Sequence, residues 1–187
     1  MSVGPKPLNQ YPAYLHPLFW LQRRKYGAVL QSGLLWARVP RIFSALALLY
    51  GAIDRSSSPI PPQLRSLITV RVSQINWCSF CVDLNSASLL ERGASQEKLE
   101  ALGNWQESQL FDEKERVALE FAEVVTRSDL RVSGDLMTKV KRYFDGDDLI
   151  ELTALISFQN MSSKFNSALG VEPQGFCLKP KANKSEI

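Results

Sequence analysis

Histidine occurs once in this 187-residue chain, at His16, and cysteine three times, at Cys78, Cys81 and Cys177. So few thiols cannot form a disulfide framework, and a zinc site built from Cys78, Cys81, His16 and Cys177 would lack the second C-x-x-C or the paired histidines that such sites use. No metal and no cofactor is expected, and the single histidine, beside Pro17, reads as structural. The net charge is only +3 and no basic run is longer than Arg23-Arg24-Lys25, so nucleic acid is not an expected partner. The most apolar window, residues 42–53, falls well short of the ~20 residues a helix needs to cross a bilayer. The N-terminal MSVGPKPLNQYPAY lacks the apolar stretch of a signal peptide, which makes the cytoplasm the expected location. Alternating β-branched residues are nearly absent and no internal repeat is evident, so the expected fold is all-α.

What is present is ordinary globular composition, 45% hydrophobic and 22% charged, enough for a single domain over residues 1–187. Pro5, Pro7, Pro12 and Pro17 interrupt helix over residues 1–18 and predict an extended N-terminal arm. Residues 19–53 carry a helical pattern broken at Val39-Pro40, where proline can open a new helix, giving an N-terminal helical pair. The run RSSSPIPP at residues 55–62 is a loop. Leu64, Leu67, Ile68, Val70, Val72 and Ile75 then predict a helix at 64–75. Further along, Ser95 opens a short helix closing around Leu99, Leu102 and Trp105, and Asp112 caps a helix at 113–126. Helices are predicted at 132–144 and 149–169, the latter capped from the turn Asp145-Gly-Asp-Asp148. Residues 127–172 thus form a C-terminal helical region, and 173–187 a flexible tail.

The chemistry concentrates at Cys78-Ser79-Phe80-Cys81. From Val82 onward, Leu84, Ala87, Leu89 and Leu90 keep helical spacing until Arg92-Gly93, where glycine suits a left-handed C-cap. The two thiols therefore stand at a helix start, where unpaired amide N–H groups and the helix dipole favour negative charge. The thiolate is the nucleophile, so this position favours reactivity. Their spacing places both sulfurs on neighbouring parts of one face, where a local disulfide can open and close without moving the rest of the fold.

The run LRSLITVRVSQINWCSFCVDLNSA, followed by LLERGAS, LEALGNW and FDEKERVALEFAEVVT, resembles the alkylhydroperoxidase D-like family, also called the carboxymuconolactone decarboxylase-like family. The resemblance covers residues 59–126 well and the remainder loosely. It implies an all-helical fold with the C-x-x-C at the N-terminus of a central helix, and assembly into a homo-oligomer. It further implies a peroxidase cycle in which Cys81 attacks a hydroperoxide and Cys78 closes the disulfide. An external dithiol reductant, lipoyl-type or thioredoxin-like, would restore both thiols. The family's proton relay is altered: Asn85 stands at the histidine position and Ser66 at the glutamate position. Neither titrates near neutral pH, so a slow thiol-dependent peroxidase, an antioxidant oxidoreductase, is expected.

A different class of reading is a non-enzymatic helical oligomer whose dithiol is a redox sensor or a buried packing pair, since cysteine is common in cores. Lactone decarboxylation does not use a C-x-x-C. Asp83 is expected to point away from Cys81 as a helix-terminus charge. Phe80, Trp77 and Trp105 could wall a site for an organic hydroperoxide, and Cys177 reads as a bystander thiol.

Overall fold

The computed structural model describes residues 3–177. Among them the regular structure is entirely helical. At the centre lies α4 (Pro62–Ile75), whose buried side chains point in more than one direction, as a helix apolar around most of its circumference must. Leu64, Ile68 and Val72 meet Val117 and Phe121 of α7 (Glu113–Thr126) and Leu152 and Ile156 of α9 (Gly146–Ala168). Leu67 and Val70 turn instead toward Leu89 of α5 (Ser79–Glu91) and toward Leu102, Trp105 and Phe111. Each such side chain, fully buried, stabilises the fold by roughly 1.5–3 kcal/mol relative to exposure. The dithiol helix α5 folds back along α4, as the two apolar patterns on either side of the C-x-x-C require.

The helix starts follow their capping residues. Asp112 accepts from the Glu115 amide at 2.8 Å while the Glu115 carboxylate accepts from the Asp112 amide at 3.0 Å, a complete capping box for α7. Ser95 caps α6 (Gln96–Ala101) and Ser133 caps α8 (Gly134–Val140) through their hydroxyls. Because the cap sits at Ser133, α8 starts later than the expected residue 132. It also ends earlier, the chain running through a turn to the buried Phe144. Asp145 stands at the N-cap of α9 but makes no side-chain cap bond, contrary to expectation.

The segment at 16–53 holds three helices where two were expected: α1 (His16–Tyr26), α2 (Gln31–Ala37) and α3 (Pro40–Ile53). The extra break is at Gly27, which takes a φ of 75° and donates its amide to the Arg23 carbonyl at 2.9 Å. That left-handed conformation is open to glycine and ends α1. Proline starts α3 as expected. Ahead of α1, Tyr11 is buried and donates its hydroxyl to the Leu34 carbonyl at 2.9 Å, tying the proline-rich segment to α2.

After α9 the chain returns to the start of α5. The amides of Gln174 and Cys177 donate to the two Asp83 carboxylate oxygens at 2.9 and 2.8 Å, and Phe176 packs edge-on to Phe80. The remainder of the expected tail, 178–187, lies outside the described residues, as do residues 1–2.

Candidate active site

Between α4 and α5 the chain turns in three residues. Trp77 takes a φ of 54°, a left-handed conformation unusual for a bulky side chain, and Cys78 follows as the N-cap of α5. The Cys78 sulfur accepts from the Cys81 amide at 3.1 Å, so one of the orphan donors of the helix start is directed at a sulfur. Cys78 and Cys81 are joined as a disulfide with their Cα atoms 5.2 Å apart. The two sulfurs are not equivalent. Cys78 is 1% exposed and held by the helix start, whereas Cys81, 3% exposed, lines a cavity.

On the cavity side, Asn166 of α9 donates its Nδ2 to the Cys81 sulfur at 3.2 Å, and the Ser32 hydroxyl of α2 donates to Asn166 Oδ1 at 2.6 Å. Asn166 is 1% exposed and Ser32 is buried, so neither bond competes with bulk water. Sequence reasoning missed both residues. The available signal was a run of polar positions, Gln159, Ser163 and Asn166, on the buried face of an otherwise apolar helix.

The two altered relay positions lie on the α4–α5 seam and are not brought together. Asn85 lines the cavity beside Cys81 and donates to the Ser73 hydroxyl at 3.3 Å, which also accepts from Gln159 at 2.9 Å. Ser66, two turns earlier on α4 and so roughly 10 Å along the axis, accepts from Arg92 at 3.1 Å. Arg92 in turn grips Asp54 with contacts of 2.8 and 2.9 Å, and Arg65 approaches the same carboxylate at 3.3 Å. Ser66 is thus tied to an arginine–aspartate cluster built on Asp54, Arg65 and Arg92.

The cavity is about 320 Å³ and sits between α1, α2, α3, α5 and α9. Leu18, Leu21, Leu46, Phe43, Phe80 and Phe158 give it apolar walls; Trp36 adds a face held by a ring stack on Phe165 with centroids 3.6 Å apart. Tyr26, Tyr50 and Lys25 also line it. The Tyr50 hydroxyl donates to Asp54 at 3.2 Å; although the residue as a whole is 42% exposed, desolvation of the hydroxyl first, then the neighbouring Tyr26 and Asp54, push its pKa above the ordinary tyrosine value. Of the three aromatic residues proposed as walls, only Phe80 lines the cavity. Trp77 is 87% exposed because its left-handed backbone throws the side chain outward. Trp105 belongs to the separate cluster between α4 and α6, its indole N–H donating to Glu123 at 2.8 Å.

Asp83 serves the returning chain rather than the end of α5, accepting from the Gln174 and Cys177 amides. Cys177 is a free thiol; burial, with a smaller contribution from Asp83, raises its pKa. His16 lies against Phe19, with ring centroids 6.1 Å apart. Among the described residues, no three His, Cys, Asp or Glu side chains converge as metal ligands, and no helix is long and apolar enough to cross a membrane.

The described residues, all-helical with a C-x-x-C disulfide at the N-terminus of α5, have the alkylhydroperoxidase D-like fold. Residues 40–124 match the carboxymuconolactone decarboxylase family model, and the chain belongs to that family. It is 42% identical to YnjA of Escherichia coli over 179 residues, 96% of this chain and 98% of YnjA. YdfG of Bacillus subtilis is 30% identical over 114 residues, 60% of this chain and 78% of YdfG. Two solved structures share the fold at lower identity. A peroxidase-related protein from Ralstonia eutropha with an alkylhydroperoxidase AhpD core superposes with a TM-score of 0.85 at 21% identity, covering 96% of this chain and 97% of that one. The debrominase Bmp8, in complex with 2,3,4-tribromopyrrole, superposes with a TM-score of 0.83 at 22% identity, covering 95% and 94%.

Proposed function

We propose that this protein is a thiol-dependent peroxidase that reduces hydroperoxides through a dithiol–disulfide cycle of Cys78 and Cys81. The observation that carries the reading is the asymmetry of the pair: Cys81 lines the cavity and accepts from Asn166, while Cys78 is held by the helix start behind it. In the reduced protein the Cys81 thiolate attacks the outer peroxide oxygen; an S–O bond forms, the O–O bond breaks, and the departing alkoxide takes a proton to leave as the alcohol. The Cys78 thiolate then attacks the Cys81 sulfenic acid, the S–S bond forms, and hydroxide leaves as water after protonation. An external dithiol supplies two electrons and two protons to regenerate both thiols, itself becoming a disulfide. When that dithiol attacks Cys81, Cys78 is the leaving sulfur, and the amide bond at its sulfur stabilises the departing thiolate. With asparagine and serine at the relay positions, general acid–base assistance worth ~100- to 10,000-fold is reduced, so turnover is slow.

The test is peroxide consumption with excess dithiothreitol on the parent, Cys81→Ser and Cys78→Ser. Cys81→Ser abolishes consumption; Cys78→Ser, pre-reduced and assayed without dithiothreitol because that reagent itself reduces a sulfenic acid, consumes one equivalent per chain and stops. Sustained turnover by Cys81→Ser would refute the assignment.

A second reading rests on the aromatic walls around Cys81: reductive dehalogenation of a halogenated aryl, the activity named for Bmp8. The Cys81 thiolate would take the halogen as a sulfenyl halide while the ring carbon takes a proton. Cys78 would then displace halide ion and close the disulfide. Halide release from a brominated pyrrole in place of peroxide consumption would favour this reading. The non-enzymatic reading predicts neither product.

A further inference from the structure

We infer that the cavity beside Cys81 binds an aryl substrate that carries one negative charge, with Lys25 as the residue that selects the charge. The inference rests on Cys81 as the reacting thiol and goes on to name what reaches it. Lys25 is the one charged side chain among the described lining residues, and no carboxylate lines the cavity with it. It has no acidic partner among the described residues; its Nζ lies over the rings of Tyr26 and Tyr50, 5.0 and 5.9 Å from their centroids. A cation held over two aromatic faces keeps its hydrogen-bond donors available to an anion. Asp54 approaches this corner through the Tyr50 hydroxyl and is compensated by both Arg92 and Arg65, so it does not cancel the lysine.

The body of the substrate follows from the walls. Trp36 is fixed flat by its stack on Phe165, and Tyr50 is held beside Phe158 with centroids 6.0 Å apart, so two sides of the cavity present braced ring systems. Rings prefer ring partners in offset or edge contacts, and an aryl group gains these with little loss of conformational freedom. A cavity of about 320 Å³ is near the lower end of the ~300–1,000 Å³ range of small-molecule sites. Apart from Lys25, the polar groups are amides and hydroxyls, among them Ser32, Asn85 and Asn166, gathered near the sulfur. The arrangement orients a ligand with its reactive group at Cys81, its rings between the walls and its anionic group at Lys25.

The experiment separates binding from chemistry. In the binding arm, 2-naphthoate and its uncharged methyl ester are titrated calorimetrically into the oxidised protein and its Lys25→Met and Lys25→Glu variants. In the reaction arm, cumene hydroperoxide is compared with its para-carboxylated analogue as substrate. We expect the acid to bind more tightly than the ester, Lys25→Met to weaken the acid roughly fivefold, as loss of one partly solvated charge pair allows, and Lys25→Glu to weaken it further. The kcat/KM preference for the carboxylated hydroperoxide should fall in parallel. Naphthoate binding that depends on Lys25, with no turnover of any peroxide, upholds the site and refutes the peroxidase reading. Failure of naphthoate to bind, tighter binding of the ester, or undiminished binding of the acid by Lys25→Glu overturns the inference.

Discussion

Replacing Asn166 by leucine removes the one side-chain donor found at the Cys81 sulfur while keeping the volume at that place in α9. A hydrogen bond to a charged acceptor contributes about 1.5–3 kcal/mol, and one pKa unit corresponds to about 1.4 kcal/mol, so the Cys81 thiol should titrate roughly one to two units higher. For a parent thiol near the free-cysteine value of about 8.5, the thiolate fraction at neutral pH falls by about 10- to 100-fold. Thiolate nucleophilicity rises with pKa with a Brønsted slope of about 0.4–0.5, which recovers about half of that on a logarithmic scale. The net expectation is a drop of roughly three- to tenfold in the peroxide rate at pH 7, reversing to a gain of similar size above the new pKa, where both proteins are fully ionised. The same substitution leaves the buried Ser32 hydroxyl without its acceptor, at a cost of about 1–3 kcal/mol in stability. The assay is stopped-flow alkylation and peroxide reaction of the Cys78→Ser protein, with and without Asn166→Leu, from pH 5 to 10. An unchanged Cys81 pKa in the folded Asn166→Leu protein would refute the role given to Asn166. A uniform loss of rate at every pH would show instead a displaced sulfur.

Three other outcomes follow from the geometry. Trp77 holds a left-handed φ with its side chain in solvent, so Trp77→Gly should gain about 0.5–1 kcal/mol, a rise of a few degrees in Tm by calorimetry; a lower Tm would mean the indole is packed in solution. Tyr50 has a raised pKa, so folding favours its neutral form. That contribution is whole below the unfolded tyrosine value of about 10 and is lost as pH rises through the folded value. Urea midpoints should therefore decline more steeply above pH 10 in the parent than in Tyr50→Phe, and equal slopes would discount the shift. Trp20, Leu21, Ile42, Leu48 and Leu49 are exposed on α1 and α3, more apolar surface than an isolated chain ordinarily leaves in water. Sedimentation velocity at micromolar concentration should give an oligomer of the parent and a smaller species for Leu48→Glu; a monomeric parent would contradict this.

Much of the fold was legible in the chain because its causes are local. The 3.6-residue spacing of Leu64, Ile68 and Val72, the Asp112–Glu115 box, the proline at the start of α3 and the C-x-x-C before a helical run each act within one or two turns. Gly27 was equally local, a glycine after a basic last turn, and its break was legible in principle though not foreseen. The resemblance to the family added what local pattern lacks, the expectation that Cys81 attacks and Cys78 resolves. The rest depends on contacts across long stretches of sequence. Asn166 and Cys81 are 85 residues apart, and Ser32 and Asn166 are 134 apart. Periodicity says which face of a helix is buried, but not which polar group on another helix will meet it. Only the packing of α2 and α9 against the start of α5 decided which sulfur faces a cavity, which donor touches it and which cation stands at the aromatic wall. The position of Trp77 was likewise decided in three dimensions: the tight turn that sets Cys78 at the helix start leaves its neighbour a left-handed backbone and an outward side chain.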